Sequence, residues 1–252
     1  MRRVPREGGA PAPARGAGVL VLRRVSYFAS LPAAELTRLA GRCTARSLGT
    51  GEALFDEGQP CRGLVVADGL VEVRQISLRG REQVFHTEGP GATLGEAPLF
   101  DGGGYIASAV ALAPTRVLLL PRAEVLRLCH RRPAVALAML KTMARRVRHF
   151  AGIVSDLAFH PVTERVARYL DTAVAGPVPR GTRIDLALTH TQLAARLGTV
   201  RELVARAFAQ LESGGVISRT RSGVIVRDPA RLAALAQGDD TAVRGAEVCP
   251  KS

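Results

Sequence analysis

The sequence predicts an α+β protein with an N-terminal jelly roll, one long helix and a small C-terminal helical domain. Short β-rich runs separated by glycines fill residues 45–121, apolar residues recur every three or four positions over 136–157, and residues 189–212 form two helical patterns around a tight turn. At 252 residues the chain is long enough for two small domains, each with its own core. The predicted division is a disordered tail over 1–20, the β-roll over 21–131, the long helix over 132–160, the helical domain over 161–232 and a flexible tail over 233–252.

The β-roll prediction depends on strand length and turn residues. Runs such as "GLVVADG", "LVEVRQIS", "REQVFH" and "TRVLLL" are short, rich in β-branched residues and bounded by glycines. Many short strands with turn signals between them are typical of a compact barrel or jelly roll. A short helix in "LPAAELTRLAGRC" precedes them.

The long helix carries a predicted seam of seven apolar residues. Their spacing alternates between four and three, which is the repeat of a coiled coil. We therefore favour a homodimer over the alternative, in which this face packs on the chain's own β-roll. The predicted seam is Ala136, Leu140, Met143, Val147, Phe150, Val154 and Leu157.

The C-terminal domain has the pattern of a winged helix-turn-helix. Thr189 and Gln192 have the spacing of a capping box that starts a helix at His190, and Gly198 ends that helix. A second helix begins within three residues, so the two are joined by a tight turn. The segment "VISRTRSGVIVRD" then predicts a β-hairpin, the wing.

Charged residues at the start of the second helix indicate DNA binding. In a helix-turn-helix this part of the second helix enters the major groove. Arg201 and Arg206 could each donate two hydrogen bonds to guanine, and Glu202 could accept one from cytosine. Residues 161–232 contain 11 arginines against six acidic residues, a net +5 that suits a polyanionic partner. The alternative is that Glu202 and Arg206, four residues apart, only form a solvated ion pair.

Further polar residues near these helices are predicted to contact phosphate groups. They lie at the start of the first helix and in the wing, where a solvated hairpin is the alternative interpretation. The predicted DNA-binding set is Thr189, His190, Thr191, Thr199, Val200, Arg201, Glu202, Ala205, Arg206, Arg219 and Arg221.

The sequence argues against several other classes of protein. No apolar run reaches the roughly 18 residues of a membrane span. The N-terminal 18 residues lack the apolar segment of a signal peptide, so we expect a cytoplasmic location. The four cysteines form no CxxC pair, and no catalytic motif is evident, so we predict neither a metal site nor an enzyme.

The order of these elements resembles the CRP/FNR family of bacterial transcription regulators. The resemblance runs from Tyr27 to Asp228 and is most specific in "HTQLAARLGTVRELVARAFAQLESGGVI"; "LGEAPLFDGG" and "MARRV" add to it. It implies a cyclic-nucleotide-binding-type jelly roll, a dimerisation helix and a DNA-binding winged helix. It also implies a homodimer on palindromic double-stranded DNA, with RNA polymerase as a further partner. The R-E-x-x-x-R pattern is similar to that of the cAMP receptor branch, whose half-sites read TGTGA, whereas Ala205 departs from the serine of the FNR branch.

The resemblance implies an effector pocket but argues against cAMP in it. The implied pocket residues are Gly95, Glu96, Ala107, Ser108, Arg146, Phe150 and Ala151. Family members that bind cyclic nucleotides have Arg followed by Ser or Thr for the phosphate, and this chain has Ile106 and Ala107 there. A phosphate buried without a cation is costly to desolvate. We therefore expect Glu96 to pair with Arg146 as a structural carboxylate.

The effector itself stays open. Some members of the family bind haem, and His86, His130 and His149 are the candidate axial ligands, although a surface or core role is the simpler interpretation of each. A second functional class also stays open: a ligand-sensing module whose winged helix contacts a protein rather than DNA. Steep salt dependence would distinguish DNA binding from that alternative.

Overall fold

The computed structural model describes residues 15–174 and 176–238. These residues form two compact units, which divide within the long helix after Phe150. The first unit holds most of the β-roll, and the second holds the C-terminal helical domain.

The β-roll consists of two antiparallel four-stranded sheets, which confirms the predicted jelly roll. The strand order is β1-β8-β3-β6 in one sheet and β2-β7-β4-β5 in the other. The strands are β1 Thr44–Leu48, β2 Ala53–Phe55, β3 Gly63–Asp68, β4 Val71–Ile76, β5 Glu82–Glu88, β6 Thr93–Leu94, β7 Ser108–Ala111 and β8 Thr115–Pro121. Alternate residues such as Val71, Val73 and Val117 are buried in a shared core because strand side chains point to opposite faces in turn.

Helices precede, interrupt and follow the strands of the β-roll. Their bounds are α1 Arg15–Arg24, α2 Ala33–Ala40, α3 Glu96–Asp101, α4 Arg122–Arg131 and α5 Pro133–Phe159, with a 3-10 turn at Ser26–Phe28. Pro133 separates α4 from α5, since the residue before a proline is disfavoured in helical geometry.

The prediction that both chain ends are unstructured is wrong for the residues that the structure describes. Of the predicted tail 1–20, residues 15–20 belong to α1, and residues 1–14 lie outside the described residues. Val21 and Leu22 of α1 are buried in the core beside α2, so apolar contact overrides the Gly- and Ala-rich local sequence. At the other end, residues 233–236 are helical and Leu235 is buried. Residues 239–252 lie outside the residues that the structure describes.

The second unit contains the predicted winged helix and one strand that was not predicted. Its elements are α6 Val162–Asp171, β9 Arg183–Asp185, α7 His190–Leu197, α8 Arg201–Ser213, β10 Ile217–Arg219, β11 Gly223–Val226 and α9 Pro229–Ala236. The wing strands pair as predicted, and β9 adds a third strand beside β11. Asp228 caps α9 by accepting a hydrogen bond from the Arg231 amide at 3.0 Å, with Pro229 in the first turn.

None of the helices in the described ranges is both long and apolar enough to cross a membrane. The functional division of the chain into a sensing domain over 21–131, a dimerisation helix over 132–160 and a DNA-binding domain over 161–232 remains a prediction.

Candidate functional site

The turn between α7 and α8 has the geometry that the sequence predicted. The Thr189 hydroxyl accepts a hydrogen bond from the Gln192 amide at 3.2 Å, and the Gln192 side chain accepts one from the Thr189 amide at 2.9 Å. Gly198 ends α7 at φ +64°, a left-handed conformation that glycine adopts without a steric penalty. The capping box and the terminating glycine therefore fix the short connection to α8.

The buried face of α8 determines which residues it presents to solvent. Val204 and Phe208 are almost completely buried in the core of the second unit. Arg201, Glu202 and Arg206 lie on the opposite face and are exposed. Among residues 15–174 and 176–238, none of the three forms an ion pair, so the Glu202–Arg206 pair of the alternative interpretation is not formed. These three groups keep their hydrogen-bonding capacity for a partner.

The other predicted DNA-binding residues of α7 and the turn differ in how available they are. Thr191 and Val200 are exposed, and Thr199 and Ala205 are half-buried. The His190 ring is stacked on Phe208, with ring centroids 5.1 Å apart. Its side chain is thus held against the core, which the sequence pattern did not indicate.

The two wing arginines are in different electrostatic states. Arg219 donates a side-chain hydrogen bond to Glu212 at 2.6 Å, and its amide donates another to the same carboxylate at 2.9 Å. These bonds hold the pKa of the exposed Glu212 carboxyl below its usual range. Arg221 is exposed and pairs with no acid in the described part of the chain. Of these two arginines, only Arg221 offers a phosphate a charge that no acid of the described residues compensates.

The first unit contains a cavity of about 230 Å³ between its strands and α5. The side chains around it are mainly apolar and aromatic. Its lining residues are Phe55, Val73, Phe85, His86, Leu94, Gly95, Glu96, Ala97, Pro98, Tyr105, Ile106, Ala107, Met143, Arg146, Val147 and Phe150.

Most of the residues implied for the effector pocket line this cavity, but two do not. Gly95, Glu96, Ala107, Arg146 and Phe150 lie in its wall. Two others need correction. The Ser108 hydroxyl accepts a hydrogen bond from the Glu57 amide at 3.0 Å, and Ala151 is exposed on α5.

The Glu96 carboxylate is satisfied by neighbouring groups of the protein. It is almost fully buried and accepts hydrogen bonds from the Thr93 hydroxyl and from Arg146 Nη1, each at 2.5 Å. Arg146 also donates to Glu88 at 3.2 Å and to the Thr93 carbonyl. Burial alone would lower the pKa of Arg146, but the facing carboxylates of Glu96 and Glu88 raise it. The predicted pairing of Glu96 with Arg146 is confirmed.

No second cation lines the cavity among the described residues. At the positions where cyclic-nucleotide-binding relatives carry Arg and Ser or Thr, Ile106 is 56% exposed and Ala107 is buried. A buried phosphate would face side chains with no charge and no hydrogen-bond donor there.

Of the three candidate haem ligands, His86 lines the apolar cavity. Burial lowers the pKa of His86 to about 4, with Arg146 adding to the effect, so the ring is neutral near neutral pH. Its Nε2 atom is buried, has no hydrogen-bond partner and lies 3.5 Å from Glu88 Oε1. His149 Nε2 lies 2.8 Å from the Phe85 carbonyl oxygen, and His130 is exposed on α4.

The described residues contain no group of three His, Cys, Asp or Glu side chains close enough to hold a metal ion.

Sequence reasoning missed the aromatic wall of the cavity. Phe55 and Tyr105 are stacked with ring centroids 3.6 Å apart, and Phe85 meets Phe150 edge-on at 5.3 Å. The alternation of polar and apolar residues in "REQVFH" was the available signal, but it cannot say which strands face each other.

The predicted seam of α5 divides between two surfaces. Ala136, Met143 and Phe150 are half-buried, and the last two line the cavity. A different set of residues, here called the exposed stripe, is open to solvent at alternating spacings of three and four. The exposed stripe is Leu137, Leu140, Ala144, Val147, Ala151, Val154 and Ala158.

The predicted seam is thus only partly open to solvent in the single chain, and its role as a dimer contact remains a prediction. Leu140, Val147 and Val154 are shared by the predicted seam and the exposed stripe, and they are 59%, 67% and 64% exposed. Leu157 is 44% exposed but is not part of the exposed stripe. It follows Phe150 by seven residues, so the two side chains lie on the same side of α5.

Comparison with known proteins gives the same two-part organisation. Residues 45–132 match the cyclic nucleotide-binding domain family, and residues 164–235 match the Crp-like helix-turn-helix domain family. The chain is 34% identical over 189 residues to the "Cyclic AMP receptor protein" of Thermus thermophilus, covering 75% of this chain and 86% of the relative. It is 27% identical over 221 residues to the "CRP-like cAMP-activated global transcriptional regulator" of Mycobacterium tuberculosis, covering 84% and 97%.

Solved structures share the fold. A CRP/FNR-family transcriptional regulator from Thermus thermophilus is 25% identical, with a TM-score of 0.55 over 77% of this chain and 98% of that one. A regulator from Eubacterium rectale described as a putative member of the same family is 18% identical, with a TM-score of 0.67 over 85% and 99%. The chain therefore belongs to the CRP/FNR family of transcription regulators, which bind DNA through a helix-turn-helix and are not enzymes.

Proposed function

We propose that the protein acts as a homodimer that binds a two-fold symmetric DNA site through the exposed face of α8. Arg201 and Arg206 donate to guanine, and Glu202 accepts from cytosine. Arg221 and Thr191 contact the flanking phosphates. In this proposal the protein works in the cytoplasm, and RNA polymerase is the partner of the bound dimer.

The observation that carries the proposal is the state of the charges on α8. Three side chains that can hydrogen-bond to base edges are exposed at the start of a helix whose opposite face is buried, and none of them forms an ion pair with the described residues. An exposed ion pair is worth little, but a bidentate contact to a base contributes about 1–3 kcal/mol of discrimination. This arrangement favours base recognition.

The exposed stripe supports the homodimer. Apolar patches of this length are uncommon on the surface of a monomer. Its spacing matches the contact face of a two-stranded coiled coil, and a two-fold dimer buries the same face of both helices. Sedimentation of the purified chain should give a dimer. Val147→Asp with Val154→Asp should give a monomer, whereas Arg148→Asp, an exposed residue off the stripe, should leave the dimer intact.

The DNA proposal is tested by selecting retained sequences from randomised duplexes. Wild type should enrich a two-fold symmetric motif. Arg201→Ala and Glu202→Ala should each relax one position of both half-sites by about 5- to 150-fold, the equivalent of about 1–3 kcal/mol. Arg180→Ala removes the same charge from an exposed loop of the same domain and should leave the motif unchanged.

Two results would contradict the proposal. The first is a motif that keeps its specificity in both α8 variants. The second is an enriched sequence without symmetry. If no motif is enriched and binding to a protein partner is instead insensitive to salt, the winged helix is a protein-binding module.

We further propose that the signal is not cAMP, although two relatives carry that nucleotide in their names. Glu96 is already hydrogen-bonded by Thr93 and Arg146, and Ile106 stands in place of the phosphate-binding cation. Cyclic AMP should therefore change neither the melting temperature nor DNA affinity of the purified protein.

A further inference from the structure

We propose that a second cleft of the first unit binds a free α-amino acid as its zwitterion. This cleft, here called the N-terminal cleft, is enclosed by residues 25–27, by β5, β6 and the loop between them, and by α5. Its volume is about 360 Å³. The inference goes beyond the proposed function, because it adds a ligand site that DNA binding does not require.

The N-terminal cleft lies on a different side of α5 from the apolar cavity described above. Arg145 and His149 line the cleft, and their spacing of four residues places them on one side of the helix. Val147, which lines the cavity and belongs to the exposed stripe, is two residues from Arg145 and points nearly the opposite way. His86 and Arg146 line both spaces.

Arg145 supplies the cleft with a positive charge that no acid of the described residues compensates. Its side chain is exposed and forms no ion pair within residues 15–174 and 176–238. Its Nη2 atom donates to the Thr142 hydroxyl at 3.1 Å, which leaves other N–H groups of the guanidinium open. A guanidinium can bind a carboxylate through two parallel hydrogen bonds. Arg145 is therefore available to the carboxylate of a ligand.

Glu88 supplies the cleft with a negative charge that is only partly balanced. Its carboxylate lines the cleft and accepts a hydrogen bond from Arg146 Nη2 at 3.2 Å. The same guanidinium is bonded to Glu96 at 2.5 Å, so two carboxylates share one cation. His86 lies 3.5 Å from Glu88, but its ring is neutral near neutral pH. Because the Glu88 side chain is 26% exposed, it can still accept hydrogen bonds from a ligand ammonium group.

The two open charges together favour a zwitterion over a simple ion. An anion would leave Glu88 without a further counter-ion, and a cation would leave Arg145 without one. An α-amino acid carries an ammonium and a carboxylate on one carbon atom, so it complements both groups at once. Val25 and Ala92 in the same wall are apolar and suit an uncharged side chain.

The test compares L-phenylalanine with phenethylamine, which lacks the carboxylate, and with 3-phenylpropionate, which lacks the ammonium group. A cavity of about 150 Å³ holds benzene, so the N-terminal cleft has room for the ring and both charged groups. The full-length protein is titrated with each compound in a calorimeter near neutral pH. We expect one L-phenylalanine per chain, bound about tenfold more tightly than either analogue, which corresponds to about 1.4 kcal/mol.

Two variants assign the charges. Arg145→Met should remove the advantage of L-phenylalanine over phenethylamine, because the carboxylate loses its partner. Glu88→Gln should remove its advantage over 3-phenylpropionate, because the ammonium group loses its counter-ion. Arg148→Met and Glu57→Gln make the same changes at exposed positions outside the cleft, and they should leave all three affinities within about twofold.

Two further variants locate the binding. Ser26 is exposed and lines the cleft, so Ser26→Leu should fold and should weaken L-phenylalanine by about tenfold. Ala97→Leu adds the same side chain to the apolar cavity instead, and it should leave the binding of L-phenylalanine unchanged.

Any of four results would overturn the inference. They are no saturable binding of L-phenylalanine, equal affinity for the three compounds, a preference that survives both Arg145→Met and Glu88→Gln, or binding that Ala97→Leu removes and Ser26→Leu does not. Every titration is done without DNA, so failure here leaves the proposed function standing. Failure of the DNA selection likewise leaves the amino-acid site standing.

Discussion

Arginine is used in opposite ways in the two units of the chain. On α8, Arg201 and Arg206 are exposed and form no ion pair with the described residues. In the β-roll, Arg146 is paired with Glu96 and Glu88 and also donates to a carbonyl. The net charge of +13 therefore does not by itself locate a polyanion site. The partners of each guanidinium decide whether it recognises a ligand or holds the fold.

The largest expected effect, on the free energy of unfolding, comes from removing the arginine of the Arg146–Glu96 ion pair. Arg146→Met leaves the Glu96 carboxylate buried without its cation, so the free energy of unfolding should fall by about 3–5 kcal/mol in urea denaturation. Arg146→Met combined with Glu96→Gln removes both charges and should recover most of the loss. A single variant that loses less than about 1 kcal/mol would show that the pair is not structural.

The next largest effect is a pH dependence of the stability of the β-roll, caused by His86. His86 has a folded pKa of about 4 against an ordinary value of 6.5, so the unfolded chain binds the proton more readily. The resulting stability is fully present above pH 6.5 and is lost as the pH falls towards 4, by up to about 3 kcal/mol. Thermal unfolding across this window measures it. His86→Phe should flatten that part of the profile, and an unchanged slope would assign the dependence to other groups.

The smallest expected effect is a difference in the salt dependence of DNA binding between the two wing arginines, Arg221 and Arg219. Arg221→Ala should reduce the slope of log affinity against log salt by about 1, because a free cation releases one counterion from DNA. Arg219→Ala should reduce it less, since Glu212 already neutralises Arg219. Equal slopes for the two variants would mean that DNA displaces Glu212. Glu212→Gln then supplies the control, because it frees Arg219 and should raise affinity.

Local sequence signals predicted the helix-turn-helix well because its determinants lie close together in the chain. The Thr189–Gln192 box and Gly198 each fix a helix end through groups within a few residues. The three-residue strand β9 escaped prediction because "RID" is too short to show a period, and its pairing with β11 is distant in sequence.

The cavity and the exposed stripe were harder to predict for a different reason. A repeat of three and four on α5 fits two overlapping sets of residues, one through Met143 and one through Ala144. Only the strands beside α5 decide which set is covered, and their arrangement is a tertiary property. The helix α1 was missed likewise, because its burial depends on contacts with α2 rather than on its own composition.

The position of α5 limits how this regulator can evolve a new ligand preference. Met143 and Phe150 line the cavity, and Ala144 and Ala151 directly follow them on the exposed stripe. Val147 belongs to both surfaces, so a substitution that reshapes the helical wall lies on, or one residue from, the surface proposed for dimerisation. Strand residues such as Val73 and Phe85 line the cavity but do not lie on the helix proposed for dimerisation. Variation in ligand preference among descendants of this sequence should therefore accumulate on the strand side of the cavity, while the helical side changes slowly.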